Sequence, residues 1–465
     1  MSRPGEGPRL PGAAGGGTGA ARAAAAILAA AALLALPAFV NGYPLVFIDT
    51  VSYLEQTVLW QVSWDKTYAY GPFLLLGHWR FSLWGALALQ CAAIAWLLWL
   101  LARALWGGAR PWRFLGLVGG MVLLTSLPWF AATLMPDVLS GVAVLSVFLL
   151  GFAPGLSRAE AAGLVALGAV AVASHLSHLP VAAAVLGIVV LVGRRLRPAL
   201  FAALPLLLAV GALLAVNLVV HGRAVLSANG ATFLLARLQD DGPATWLLRE
   251  RCPAAGWHLC AHLHRLPMDS DEFLWDPQSP LHREADGTPI FMGSVRIAPE
   301  AREIVAATLA AYPLDVAAAM LRNGLRQLLM ARIGDTLGNA HLDLSARRMI
   351  AQGFPQELAA FDSALQMQGR LEALAAPFAP LHALVLLFAA PAALFAWRRA
   401  AREGDRLRLG LVLAALVGIT ANALVTGGLS KPHHRYEARI VWLLPLAAAL
   451  ALPPRPRSEE VPHAG

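Results

Sequence analysis

The sequence predicts an all-α polytopic membrane protein, with about ten transmembrane helices and a mostly helical periplasmic domain inserted before the last three. Three observations lead there. Of the 465 residues, 58% are hydrophobic, mean hydropathy is +0.61 and only 14% are charged. A soluble globular protein carries about a quarter charged residues. Apolar runs of roughly 20 residues, the length a helix needs to cross a bilayer, recur along the chain. The arginines fall in short clusters between those runs, the pattern that orients membrane proteins.

Residues 1–22 are rich in Gly, Ala, Pro and Arg and read as a disordered cytoplasmic tail. Arg3, Arg9 and Arg22 precede the first apolar run, but no small-x-small cleavage site follows it, so a retained signal anchor is expected. Apolar run length places spans near 23–42, 82–102, 114–134, 138–154, 161–177, 180–193, 199–220, 380–397, 408–427 and 440–453. They divide into an N-terminal module, 23–220, whose outer loop is 43–81, and a C-terminal module, 377–453. A cytoplasmic tail, 454–465, follows. The polar segment 221–376 between them is too long for a simple loop and is expected to be the periplasmic domain. Within it, Glu300 to Leu328 shows helical periodicity, with Pro313 opening a second helix.

Orientation follows from the basic clusters. Arg103, Arg110 and Arg113, then Arg158, then Arg194, Arg195 and Arg197 fall on one side, as do Arg398, Arg399, Arg402, Arg406, Arg408, Arg455 and Arg457. The turns at 134–138 and 175–180 on the other side hold no Lys or Arg. The expectation is a bacterial inner-membrane protein with both termini cytoplasmic and its polar clusters facing the periplasm.

The net charge of +8 does not indicate nucleic acid, because aromatic residues are not interleaved with the arginines as base stacking requires. Cys91 lies in an apolar run. Cys252 and Cys260 lie in the long polar segment and form a disulfide if it faces an oxidising compartment. His258, His262 and His264 are close by, without recognised zinc spacing. There is no Gly-rich phosphate loop, Ser-centred nucleophile motif or Cys-His pair.

Four polar clusters fall on the outer side. In F-I-D-T-V-S-Y-L-E-Q, 47–56, Asp49 has two readings: general base at the membrane surface, or cap of a short interfacial helix. Ser52 and Tyr53 can line the same cleft, and Glu55 lies six residues beyond Asp49. In M-P-D, 135–137, Asp137 is a second acid, as positioner or metal ligand, or else a cap. In S-H-L-S-H, 174–178, His175 and His178 share a helix face and can hold a phosphate, or are simply tolerated in a polar turn. In K-P-H-H-R-Y-E-A-R, 431–439, Lys431, Arg435 and Arg439 are cations where the orientation rule disfavours them, which points to an anionic ligand. Glu437 is the alternative partner for Arg439. The segment 58–81, with Trp60, Trp64, Lys66, Tyr70 and Trp79, suits sugar stacking or a membrane-interface belt equally.

Together these residues resemble the GT-C superfamily of polytopic glycosyltransferases, which use sugars linked to polyprenyl phosphate. The resemblance lies in an acid just after the first helix (Asp49 in F-I-D-T-V-S-Y-L), a second acid at the outer turn between helices three and four (Asp137 in L-M-P-D), and an Arg-Tyr pair, Arg435 and Tyr436, before the apolar run I-V-W-L-L-P-L. It covers roughly 23–220 and 380–453. The first loop lacks the adjacent acid pair that some members carry, and a divalent metal is the one cofactor left open. The resemblance implies transfer of a sugar from a polyprenyl-phosphate donor to a cell-envelope acceptor. Asp49 would be the base and Asp137 its helper. Lys431, Arg435, Tyr436, His175 and His178 would be at the donor phosphate, and Tyr53, Glu55, Tyr70 and His434 at the acceptor or sugar. Two other classes compete: a transporter or flippase of lipid-linked glycans, and a non-catalytic envelope assembly protein. The first should show polar groups at several depths and repeat symmetry, and neither is visible.

Overall fold

The computed structural model describes residues 16–452, and their regular structure is helical throughout apart from two isolated backbone bridges. The expected tails therefore lie outside it, except that the first helix already begins at Gly16. Among the described residues, four helical stretches are long and apolar enough to cross a membrane: Leu83–Trp106, Leu196–His221, Leu371–Glu403 and Arg406–Leu429. A fifth is reached only if Ala298–Ala311 and Pro313–Leu328, bent by 102°, count as one. This agrees with a multi-pass membrane protein.

The other expected spans are helical but shorter. Residues 23–42 divide into Gly16–Leu34 and Leu36–Asn41, and 114–134 into Pro111–Leu124 and Leu127–Ala131. Pro37 and Pro128 open the second piece in each case, as proline does where its missing N–H costs nothing. Residues 440–453 contain the nine-residue helix Leu443–Ala451.

Leu139–Phe152 is buried on all sides up to Leu150 and forms the centre of the bundle. It packs against Arg158–Ala173, His178–Ile188, Leu196–His221 and Arg406–Leu429. The segment 221–376 contributes to two cores. Leu235, Leu247, Phe273, Ile304 and Val316 belong to a separate cluster built on Gly230–Asp241, Pro243–Arg251 and Ala298–Ala311. Leu342, Ile350, Phe354 and Phe361 instead join the main core of the bundle. Cys252 and Cys260 are disulfide-bonded in the first part.

The first loop is tied down by backbone. The Leu45 N–H donates to the Ala132 carbonyl at 3.1 Å, and the Leu134 N–H to the Leu45 carbonyl at 2.8 Å. Thr50 Oγ1 donates to the Leu134 carbonyl at 3.1 Å. Gln366 grips the same loop: its Nε2 donates to the Val46 carbonyl at 2.7 Å and its Oε1 accepts from the Val46 N–H at 3.2 Å. Every polar backbone group of a buried loop needs such a partner. These bonds fix the Asp49 loop beside the turn that carries Asp137.

Candidate functional site

Asp49 directly precedes the helix Thr50–Val58, where the capping reading put it, but its side chain makes no capping bond. It turns instead to two cations. Lys66 Nζ stands 3.1 Å from Oδ1, and Arg435 Nη1 donates to Oδ2 at 3.2 Å. Each carboxylate oxygen thus faces one cation. Burial pushes the Asp49 carboxyl up, but Lys66 and Arg435 outweigh it and hold the group at about 2. Burial works against the Lys66 charge, and Asp49 and Asp65 together raise its ammonium above the ordinary lysine value. Lys66 also contacts Asp65 at 2.7 Å.

Two aromatic rings and two further hydrogen bonds position Arg435 beside Asp49. Its guanidinium lies 4.7 Å from the Phe47 ring and 4.9 Å from the Tyr436 ring, and Nη2 donates to the Tyr436 hydroxyl at 3.3 Å. Its backbone N–H donates to Asp335 Oδ2 at 3.1 Å. A planar guanidinium stacks in this way where an ammonium cannot.

The second acid forms its own cluster. Asp137 accepts from Arg439 Nη1 at 3.1 Å, and Arg439 Nη2 donates to Ser177 Oγ and Asn422 Oδ1, each at 2.9 Å. This corrects the alternative in which Glu437 pairs with Arg439: Glu437 accepts from Asn422 Nδ2 at 3.0 Å. Tyr436 joins the two clusters, because its ring lies within 5.2 Å of the Arg439 guanidinium as well. The Asp49 side chain keeps 22% exposure and Asp137 only 5%. Of the two acids, Asp49 is therefore the more accessible.

Other expected site residues are placed elsewhere. Lys431 does not join Arg435. It is held by Asp269 at 2.6 Å and Asp271 at 3.2 Å, so its assignment to the same phosphate is not supported by this geometry. His434 accepts from Arg332 at 2.9 Å, and Glu55 pairs with Arg348 at 2.9 Å. Tyr53 and Tyr70 are buried edge to face, and the Tyr70 hydroxyl donates to Gln90, which leaves neither free for a sugar. His175 and His178 have rings 5.3 Å apart. His175 Nδ1 bonds Ser177 Oγ, the hydroxyl that also receives Arg439, while His178 Nδ1 bonds the Ala171 carbonyl. Through Ser177, His175 is tied to the Asp137 cluster.

Sequence reading missed Lys66 as a partner of Asp49, and did not place Arg439 with Asp137. A signal existed for the first: the chain has two lysines only, and one stands in the same segment, 43–81, as Asp49.

As the side chains stand, the surroundings of Asp49 do not suit a divalent metal. Among the described residues, no three His, Cys, Asp or Glu side chains converge. Both oxygens of Asp49 are occupied by cations, and a metal there would face the Lys66 ammonium and the Arg435 guanidinium. No protein-family model, curated protein or solved structure matches this chain.

Proposed function

We propose that this protein is a membrane glycosyltransferase of the GT-C type, working on the periplasmic face of a bacterial inner membrane with about ten helices in the bilayer. It moves a sugar from a polyprenyl-phosphate donor to a cell-envelope acceptor hydroxyl. The observation that carries this reading is the Asp49 carboxylate held between Lys66 and Arg435. The disulfide, at home in oxidising compartments, supports the sidedness.

The chemistry follows from that triad. At a pKa of about 2, Asp49 is a poor base while both cations sit on it. A donor phosphate competes for the same two cations, and charge-assisted bonds to Arg and Lys are the strong ones. As Lys66 and Arg435 move to the phosphate oxygens, the carboxylate loses the charges that depress it and its basicity rises. Asp49 then accepts the proton of the acceptor hydroxyl, whose oxygen attacks the anomeric carbon. The bond from that carbon to the phosphate oxygen breaks, and polyprenyl phosphate leaves with its bonding pair. Lys66 and Arg435 stabilise the charge that builds there. Attack opposite to the leaving group inverts the anomeric centre. Donor therefore binds before the base is competent, which limits loss of the sugar to water. Asp137, through Arg439 and Tyr436, keeps Arg435 in register.

The purified protein in liposomes, given a radiolabelled polyprenyl-phosphate sugar and an envelope acceptor extract, tests this. Labelled acceptor together with released polyprenyl phosphate is expected. Translocation of intact donor with no covalent product would favour a flippase.

A further inference from the structure

The helix Pro313–Leu328 carries three distinct faces. Val316, Ala319, Asn323, Gly324 and Gln327 are buried. They press on the last turns of Arg406–Leu429. A Cβ on Gly324 would lie 2.8 Å from the Leu424 side chain, and one on Gly427 would lie 2.5 Å from the Asn323 carbonyl oxygen. Glycine at both positions permits this close approach. Gln327 adds a bond from Nε2 to the His433 carbonyl at 2.7 Å.

The second face is apolar and bare. Leu314, Leu321, Leu325 and Leu328 recur at helical spacing with Ala317 and Ala318, and the leucines are 81%, 54%, 55% and 36% exposed. Leu329 continues the stripe at 84%. The third face is basic. Arg322 and Arg326, one turn apart, border the leucine stripe and line a polar cleft of ≈370 Å³ against Asp240, Asp269 and Lys431.

The acids of that cleft are already matched. Arg237 holds Asp240 and Asp241, and both Asp241 oxygens also accept from Asn323 at 2.9 Å. Lys431 holds Asp269 and Asp271. Arg322 stands second in line at 3.8 Å from Asp241 and is 68% exposed. Arg326 is exposed and has no ion-pair partner among the described residues. Two guanidinium groups therefore remain for an outside anion.

Position decides what that anion belongs to. The Arg406–Leu429 helix has 24 residues. That is about 36 Å of helix against a hydrocarbon core of about 30 Å, so its last turns fall at the headgroup level. The leucine stripe fastened to those turns lies where acyl chains end, with the two arginines at the height of lipid phosphates. Such a helix, apolar on one side and basic beside it, is built to lie in an interface.

We propose that Arg322 and Arg326 bind the phosphate of an anionic membrane lipid, whose acyl chains lie along Leu314, Leu321, Leu325 and Leu328. The site is separate from Asp49 and does not require that residue to act as a base. It would anchor the inserted segment to the outer leaflet at a defined height.

Full-length protein in detergent is titrated with dioctanoyl-phosphatidylglycerol, dioctanoyl-phosphatidylcholine and inorganic phosphate. Wild type should bind the anionic lipid well above the other two. R322Q/R326Q should weaken it about 30-fold, which is about 2 kcal/mol for two interfacial arginines. L321N/L325N should weaken it too, and R322K/R326K should retain most of it. All six side-chain changes are at exposed positions, and unchanged thermal unfolding verifies the fold. Equal binding of both lipids, or indifference to R322Q/R326Q, overturns the proposal. Inorganic phosphate binding as tightly as the lipid, untouched by L321N/L325N, would make this a free-phosphate site and also overturn it. So would a change from dimer to monomer in L321N/L325N with lipid binding intact, which would place a second copy on the stripe.

Discussion

Removing the Lys66 ammonium probes the proposed donor site while leaving the Asp49 side chain itself unsubstituted. Lys66 contacts Asp49 at 3.1 Å and Asp65 at 2.7 Å, and its side chain is only 14% exposed. In Lys66→Gln, Arg435 alone remains to answer both Asp49 and the incoming phosphate. A hydrogen bond to a charged group contributes about 1.5–3 kcal/mol. Its loss should raise the donor KM or Kd about 10- to 150-fold. Turnover at saturating donor should fall as well, since Lys66 also stabilises the charge that builds on the departing phosphate. Lys66→Arg, which restores the charge, should recover most of the affinity. The assay is donor binding and initial-rate kinetics on protein shown to be monodisperse by size exclusion. An unchanged donor KM in a folded Lys66→Gln variant would refute the anion-exchange reasoning. A purely structural role for Lys66 would instead lower thermal stability and leave KM alone.

Four further outcomes follow from the same geometry. Asp137→Asn strands Arg439, which is 1% exposed, and breaking a buried pair from one side costs about 3–5 kcal/mol. Thermal unfolding should shift down markedly, with Asp137→Leu combined with Arg439→Met less damaged than either single change. The depressed Asp49 carboxyl makes stability depend on acid: its contribution is full above the ordinary aspartate range and lost as pH falls through about 2. Unfolding followed from pH 6 downwards should be steeper in wild type than in Asp49→Asn. Chelation with EDTA should leave transfer unchanged, because the donor set around Asp49 does not suit a divalent cation. Without reductant, maleimide should label neither Cys252 nor Cys260 in unfolded protein, and replacing both with Ser should destabilise the inserted segment by roughly 2.5 kcal/mol, given the short loop they close.

Some of this was legible in the chain and some was not. The helical class and the membrane character came from composition and run length, which depend on no tertiary contact. Counting about ten crossings used run length alone. The structure breaks several of those runs, as after Leu124, where Thr125 turns to extended backbone and a second helix begins at Leu127 with Pro128. Asp49, Asp137 and Arg435 stood out because charge is expensive beside apolar runs. Their partners did not, because pairing is decided by how loops fold over distance. Asp49 meets Arg435 across 386 residues of chain. Lys431 was assigned to the phosphate by its position in the sequence, four residues before Arg435. The inserted segment brings Asp269 and Asp271 to it instead, and nothing in 431–439 signals that. Tyr70 read as a sugar platform because exposure cannot be seen from residue type, and it is fully buried. The capping reading of Asp49 was right about backbone position and wrong about the side chain: the residue begins the helix while its carboxylate answers two cations.

The most direct measurement is sugar transfer from a polyprenyl-phosphate donor by Asp49→Asn in liposomes, beside donor binding by the same variant. Loss of a general base costs about 10²- to 10⁴-fold in rate. The expected result is a fall of that size with donor binding kept or strengthened, since Lys66 and Arg435 are no longer neutralised. Undiminished transfer by a folded Asp49→Asn protein would contradict the assignment of Asp49 as the base.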